Sequence, residues 1–401
     1  MGYAIRTVGV VGGGTMGGGI TALTIRCNRP VVLKEESPEL AQKVEKSLHD
    51  RFQKWFDLGY TKERSVLDQQ KSYLTVTYSI QDLVNTDLII EAIPENMEWK
   101  KELFFELDRI MPEHVILASN TSSLPITEIA RATKRPDKVV GMHFFNPPTS
   151  NQRMLVELVR GGSTSSDTMD TVEKFSRATL GKKTIRVKDR FGFLVNCLLL
   201  PYLGEAVMAL EQSDVSFEAI DAEARNFGWP MGPFGVLDVV GLDTAYLVAE
   251  FLSRAYPEKI QLGTLFKALV DAGRLGEKAG VGFYDMKGGH EPLNAFLQRI
   301  YGSRPIVSAQ KVFERMTARF LNESVQALQD GVTSKNEIET GAKIGIGFPK
   351  DGPLHHISKL GASTLVKQLN GYVQIYGPRF KPAQMLVDMA VRGEKFYEIL
   401  L

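Results

Sequence analysis

The sequence predicts an α/β fold joined to an all-α one: an N-terminal doubly wound parallel sheet followed by two tandem helical domains. Three observations predict it. Short apolar runs alternate with helix-spaced segments as far as residue 187, that rhythm stops from Phe191 onward, and the later part of the chain repeats itself at an offset of 118 to 120 residues. Strands alternating with helices build a parallel sheet, and the ligands of such sheets sit outside the carboxyl ends of the strands.

The first strand is the β-branched run Thr7 to Val11, followed by Gly12-Gly-Gly-Thr-Met-Gly17 and a helix start at Gly18-Gly19-Ile. In the pattern Gly12-x-Gly14-x-x-Gly17, one glycine permits the tight turn, the second lets backbone N–H groups approach a pyrophosphate, and the third lets helix and strand pack closely. Alone, that pattern is a weak signal. It gains weight because a second strand, Pro30 to Leu33, ends in Lys34-Glu35, with Glu35 eighteen residues after Gly17. A carboxylate there accepts from the ribose hydroxyls and repels a 2′-phosphate, so the Rossmann-type reading carries NAD as cofactor, with Lys34 as the one neighbour that favours NADP. An ordinary glycine-rich turn with a solvated acid is the alternative.

Ser37 to Asp57 reads as a long amphipathic helix with Leu40, Val44, Leu48 and Phe52 on one stripe. Asp87 to Ile93 reads as a buried parallel strand, Glu98 to Ile110 as a helix, Val115 to Ser119 as a strand, Thr127 to Ala132 as a helix and Val139 to His143 as a strand. Thr168 to Leu180 is helical in pattern, and Lys183 to Val187 is a last strand. Glu91, Ser122 and His143 therefore fall at or just past strand ends, where chemistry is expected.

Beyond Phe191 only helical stretches are expected, such as Phe193 to Glu211 and Phe217 to Asn226. Here Glu205-Ala-Val-x-Ala-Leu, Ile220, Gly228-Trp-Pro230, Gly232-Pro233 and Gly241 recur as Glu323-Ser-Val-x-Ala-Leu, Ile338, Gly347-Phe-Pro349, Gly352-Pro353 and Gly361. Two copies of one helical unit, each with an apolar face, are expected to pack on each other as an internal pseudo-dimer. That arrangement suits a monomer, with a homodimer as the alternative. The expected domains are 1–187, 188–290 and 291–401, joined in the last case by the segment Asp285 to Pro292.

The 48 Lys and Arg residues nearly balance the 47 Asp and Glu, so no global field draws the chain to nucleic acid or a membrane surface, and any anionic ligand is held locally. Cys27 and Cys197 have no metal-type spacing, and no metal is expected. Neither a secretory leader, nor a run long enough to span a bilayer, nor a peroxisomal address is read at the ends or between them. The expected location is the cytoplasm.

The stretch Gly141 to Glu157 sets a histidine, an amide and a carboxylate among apolar residues and prolines. Buried polar groups cost free energy unless partnered, so His143 and Glu157 are either a proton-transfer pair or a core histidine satisfied by backbone beside an ordinary strand glutamate. Taken together with this stretch, the motifs Gly12 to Gly17, Glu91-Ala-Ile-Pro-Glu95-Asn, Ser119-Asn-Thr-Ser-Ser123, Gly192-Phe-Leu-Val-Asn196 and Met231-Gly-Pro-Phe-x-x-x-Asp238 resemble the L-3-hydroxyacyl-CoA dehydrogenase family over essentially the whole chain. The tandem helical units most resemble the dehydrogenase portion of multifunctional β-oxidation enzymes, here without their enoyl-CoA hydratase domain, so a stand-alone dehydrogenase or an excised portion is expected.

The resemblance implies NAD-dependent oxidation of (3S)-3-hydroxyacyl-CoA, with an acyl-CoA as the molecular partner. NADP-linked 3-hydroxybutyryl-CoA or other hydroxy-acid turnover is the enzymatic alternative, and a nucleotide-binding sensor without turnover the other. It implies His143 as the base, Glu157 as the carboxylate that orients it, and Ser122 and Asn196 as donors to the reacting oxygen. Ser122 also has a plain alternative as a helix cap. By the same carry-over Gly12, Gly14, Thr15, Met16, Gly17, Glu35, Glu95, Lys100 and Lys278 lie around the cofactor, and Ser47, Lys54, Ser122 and Asn146 around the substrate. At an offset of 118 the residue matching Asn196 is Glu314, so catalysis is expected of the first helical copy and scaffolding of the second. One departure stands out: the link from Asn146 to Glu157 is slightly longer than in the stand-alone enzymes, and its segment Pro148 to Gln152 is expected to bear on acyl-chain length.

Overall fold

Residues 4–151, 154–349 and 351–398 are described by the computed structural model of the chain, which divides into two units, Met1–Phe193 and Leu194–Leu401. The first unit runs β1 (Val8–Val11), α1 (Thr15–Arg26), β2 (Val31–Lys34), α2 (Pro38–Asp57), α3 (Arg64–Ser72), β3 (Leu74–Thr77), β4 (Leu88–Glu91), α4 (Met97–Ile110), β5 (Ile116–Ser119), α5 (Ile126–Ala130), β6 (Val139–Phe144), β7 (Leu155–Arg160), α6 (Ser166–Lys174) and β8 (Lys183–Lys188). Its eight strands form one sheet in the order β3-β2-β1-β4-β5-β6-β7-β8. All four residues of β1, β4 and β5 are buried, as expected of strands covered on both faces.

Three features depart from the sequence reading. The strand β3 was hidden, because Leu-Thr-Val-Thr carries only a short alternation, and the junction between β6 and β7 is antiparallel whereas the other six junctions are parallel. A short connection returns the chain antiparallel, whereas a parallel neighbour needs a longer crossover. The stripe on α2 also shifts by one position. Leu48 and Phe52 are buried and Val44 is half-buried, but Ala41 completes the face while Leu40 is 40% exposed. At 3.6 residues per turn, three steps of four residues carry Leu40 roughly 120° round the helix from Phe52. Helix starts follow local chemistry: the Ser37 hydroxyl accepts from the Leu40 N–H to cap α2, and the Asn96 side chain accepts from the Trp99 N–H to cap α4.

The second unit is built of helices, α7 (Val195–Gln212), α8 (Phe217–Phe227), α9 (Pro233–Val240), α10 (Leu242–Ala255), α11 (Thr264–Asp271), α12 (Leu293–Tyr301), α13 (Ala309–Gln329), α14 (Lys335–Thr340), α15 (Pro353–Leu360), α16 (Ala362–Tyr376) and α17 (Gln384–Arg392), with isolated antiparallel bridges at Gly276–Val281 and Val281–Asp285. The internal repeat is visible in side-chain roles as well as in order. Asp221 on α8 accepts the N–H groups of Phe234 and Gly235 at the start of α9, and Glu339 on α14 accepts that of His355 at the start of α15. Asp238 accepts the N–H groups of Phe283 and Tyr284, while in the second copy the Ser358 hydroxyl accepts those of Phe396 and Tyr397. Burial pushes the carboxyls of Asp221, Asp238 and Glu339 up, and these N–H donors pull them part of the way back. Gly241 and Gly361, with φ of 93° and 90°, end α9 and α15 in a conformation that suits glycine alone.

Glu205 and Glu323, the first residues of the repeated motif, are both buried. The Glu205 carboxylate on α7 meets Arg379 Nε at 2.5 Å and Arg315 Nε at 3.2 Å, both from the second copy, and Glu323 meets Arg319 at 2.5 Å. Such pairs are worth little against an apolar replacement, but removing one partner strands a buried charge. Replacing Glu205 by Gln is expected to destabilise the chain by about 3–5 kcal/mol, because two arginines lose their counter-charge together. Urea denaturation followed by circular dichroism measures it, and a loss near zero would show the cluster to be indifferent.

Candidate active site

The turn after β1 is shaped by its glycines. Gly12 has φ of 91°, a β-carbon on Gly17 would overlap the Gly12 carbonyl, and one on Gly14 would have no atom within 4 Å. The loop thus packs tightly on one side and is open on the other, at the N-terminus of α1, whose first turn holds no acidic residue. That is a cradle for a pyrophosphate. Thr15 and Met16 begin the helix, and Glu35, just past β2, reaches back to accept the Gly13 N–H at 2.5 Å. Gly12, Gly14, Thr15, Met16, Gly17 and Glu35 are therefore brought together, and the residues present suit a dinucleotide whose ribose faces a carboxylate.

Past β4 and β5 lies a buried polar network. Glu91 is fully buried and receives Lys100 Nζ at 2.5 Å, the Ser119 hydroxyl at 2.5 Å and the Ile93 N–H at 2.8 Å. Lys100, 1% exposed, also donates to the Ile93 carbonyl and lies 3.5 Å from Glu95. Glu95 in turn accepts from the hydroxyls of Thr121 and Ser123 and from the Ser122 N–H. Burial raises the Glu95 carboxyl, but the Lys100 charge and these donors outweigh it, so the group sits below the usual carboxylate range. The stability it lends is present above the ordinary carboxylate range and is lost as pH falls through its lowered value. Sequence reasoning singled out Lys100 and Glu95 but not Glu91 as their anchor, which no spacing reveals, since Glu91 reads as the last residue of an apolar strand.

His143 on β6 and Glu157 on β7 face each other in register across the antiparallel junction. Nδ1 of the ring lies 2.7 Å from Glu157 Oε2, with His143 6% exposed and Glu157 fully buried. With Glu157 ionised, Nδ1 is the donor in this contact, and in the neutral ring the lone pair is then on Nε2. The rings of Phe145 and Phe193 lie 4.5 and 5.9 Å from the imidazole. Phe193 is one of two described non-glycine residues with positive φ, 49°, and the preceding Gly192 donates its N–H to the Ser123 carbonyl. The Asn120 side chain accepts the Phe144 N–H, tying the end of β6 to the loop after β5.

A cleft of about 490 Å³ opens beside this sheet end, between α1, α2 and the segment after β6. Ser47, Lys54, Thr15 and Asn146 all line it, together with Trp55, Tyr60 and the prolines 147 and 148. Asn196 and Lys278 lie in the second unit. Asn196 falls in the first turn of α7, and the Lys278 amine is held by both carboxylate oxygens of Asp243, at 2.5 and 2.6 Å.

The sequence pattern described as "3-hydroxyacyl-CoA dehydrogenase, NAD binding domain" matches residues 7–190, and that of the C-terminal domain of the same family matches twice, at 192–286 and 312–397. The chain belongs to the 3-hydroxyacyl-CoA dehydrogenase family. As a member it is an NAD-dependent oxidoreductase with a tandem C-terminal domain, and the buried His143–Glu157 pair accords with the family's acid–base chemistry. Among solved structures it is similar to 3-hydroxybutyryl-CoA dehydrogenase from Escherichia coli, with 27% identity over 97% of this chain and 99% of that one and a TM-score of 0.87. It also matches (S)-3-hydroxybutyryl-CoA dehydrogenase from Ralstonia eutropha, with 37% identity over 70% of this chain and 99% of the other and a TM-score of 0.64. A third, FadB2 of M. tuberculosis, shares 38% identity over the same 70% and 99%, with a TM-score of 0.67. No described helix of this family member is long and apolar enough to cross a membrane, and no cluster of metal-ligand side chains occurs among the described residues.

Replacing Lys100 by Met is expected to lower stability by about 3–5 kcal/mol even without nucleotide, because it strands the Glu91 carboxylate. Thermal melts of the nucleotide-free protein check this. A melt unchanged from wild type, with only NAD affinity lost, would mean that Lys100 serves the cofactor alone.

Proposed function

We propose that the chain oxidises (3S)-3-hydroxyacyl-CoA thioesters with NAD, using His143 as the general base and Glu157 as the carboxylate that orients it. The observation that carries this reading is the 2.7 Å contact between Glu157 and Nδ1, which leaves Nε2 to take the hydroxyl proton. NAD, when bound, supplies the hydride acceptor, and the glycine loop and Glu35 are the residues that hold it. As the alcohol proton reaches Nε2 the ring becomes an imidazolium, and the buried Glu157 stabilises that charge where water does not. For Ser122, whose N–H donates to Glu95, the proposed role is a hydroxyl donor to the reacting oxygen. For Asn196 and Lys278 the proposed roles are an amide donor to that oxygen and a lysine beside the cofactor.

Ser47, Lys54, Asn146 and Thr15 around one cleft support a site for the coenzyme A moiety, in which Lys54 meets phosphate as a point charge. Glu35 beside the Gly13 N–H supports NAD over NADP, since a 2′-phosphate would face a carboxylate. The contacts of Arg315 and Arg379 with Glu205 support the pseudo-dimer of tandem copies, and a monomer, a cytoplasmic location and domains at 1–187, 188–290 and 291–401 are further proposed.

His143→Gln is expected to lower kcat by about a hundredfold or more with the fold intact, in line with loss of a general base. Full turnover by that variant would sink the mechanism. Reduction of acetoacetyl-CoA and longer 3-oxoacyl-CoA substrates, followed with NADH and NADPH in parallel, is expected to run with NADH. Equal rates with NADPH would overturn the role of Glu35. A solution mass of two chains by sedimentation would count against the monomer.

A further inference from the structure

Behind the segment that walls the cleft lies a lysine that no step above employs. Lys182, in the turn before β8, is 4% exposed, and its Nζ donates to the Pro148 carbonyl at 2.6 Å. From the last turn of α1, Arg26 Nη2 donates to the Thr149 carbonyl at 3.1 Å. Gly19 on the same helix makes room for the proline, since a β-carbon there would lie 2.8 Å from Pro148 Cδ. Two consecutive peptide units are therefore gripped from behind by two cations, while Pro148 and Thr149 face the cleft with Ser47 and Lys54. A buried ammonium is costly without an acceptor, and a leucine or methionine would fill the same space without that cost. Its use here is best explained by the carbonyl it holds.

We propose that Lys182 is a positioning residue which, by holding the Pro148 carbonyl, sets the wall of the cleft and so the fit of the acyl-CoA thioester. The proposal rests on the reading of the cleft as the coenzyme A site. It also explains why the segment between Asn146 and Leu155 can be long without being loose at its start. Among the described residues, the titratable groups that act on Lys182 are Arg26 and Cys27, at the end of α1. Burial first, and then the Arg26 charge, lower its amine to about 8, with Cys27 acting in the opposite sense. Burial raises the Cys27 thiol, and the charges of Arg26, Lys182 and Arg29 oppose that rise. Below about pH 8 the clamp is a charged donor. Above it, the neutral amine is a weaker donor.

Steady-state reduction of 3-oxoacyl-CoA by NADH at pH 7 and pH 9 tests this in the full chain, alongside hydrogen exchange at the Ser150 amide, which donates to the Pro147 carbonyl. Wild type is expected to show a higher substrate KM at pH 9 than at pH 7. Lys182→Met is expected to raise KM about tenfold at both pH values with kcat within about twofold, and to speed Ser150 exchange. Lys182→Arg, which stays charged, is expected to restore the low KM and hold it to pH 9. Ser150 exchange and KM in Lys182→Met equal to wild type at pH 7 would overturn the proposal. Faster exchange with an unchanged KM would show that the clamp exists but that the cleft is not the substrate's, which defeats the reading on which the proposal rests. If Lys182→Met fails to fold, Lys182→Gln takes its place, and KM and Ser150 exchange equal to wild type at pH 7 would count against the clamp.

Discussion

The contact between His143 and Glu157 depends on a reversal of chain direction, and much of the first unit follows from it. In register across the antiparallel junction, the two side chains face each other at 2.7 Å. A fully buried carboxylate needs a partner, and the imidazole supplies one without filling the ring's second nitrogen. The same reversal needs no crossover helix, and the start of the connection, Asn146 to Thr149, becomes a wall of the cleft. One topological choice therefore produces both the acid–base pair and the surface proposed to receive the substrate.

Buried charge recurs as the means of fixing irregular backbone. Lys100 and Glu91 hold the ends of β4 and β5 so that Glu95 can grip Thr121, Ser122 and Ser123. These loops have no strand partner past the sheet, so their N–H groups and hydroxyls are satisfied by carboxylates instead. In the helical unit, Asp221 and Asp238 serve helix starts and turns in the same way. The copies then diverge where the capping group alone is needed. Asp238 is matched by Ser358, a hydroxyl that accepts two N–H groups with no charge to bury. The second copy keeps its scaffold contacts while the amide of Asn196 is matched in sequence by Glu314, which is consistent with its reading as a support.

The parts legible in the sequence are those governed by near neighbours along the chain. The strand, glycine loop, helix, second strand and Glu35 follow one another locally, and conformational demands on Gly12 and Gly17 leave few substitutes. The helical repeat was legible because its glycines and prolines are needed wherever the helices turn. The α2 stripe was read one position off at its start because a spacing of four slips round the helix. The strand β3 was missed because four residues offer too little periodicity, and the direction of β7 because alternation carries no information about which way a neighbour runs.

By itself, then, the sequence determined the layered fold, the tandem helical copies and the cofactor loop through local geometry and motif, and pointed to the histidine and carboxylate through the family resemblance. Tertiary structure alone decided what each buried charge meets. Arg379 and Glu205 are 174 positions apart, Lys182 and Pro148 34, and Lys100 and Glu91 only nine. Arg379, Lys182 and Lys100 each read in isolation as an ordinary solvated charge. Only folding removes the water, and once it is gone each charge must have the partner it finds in space.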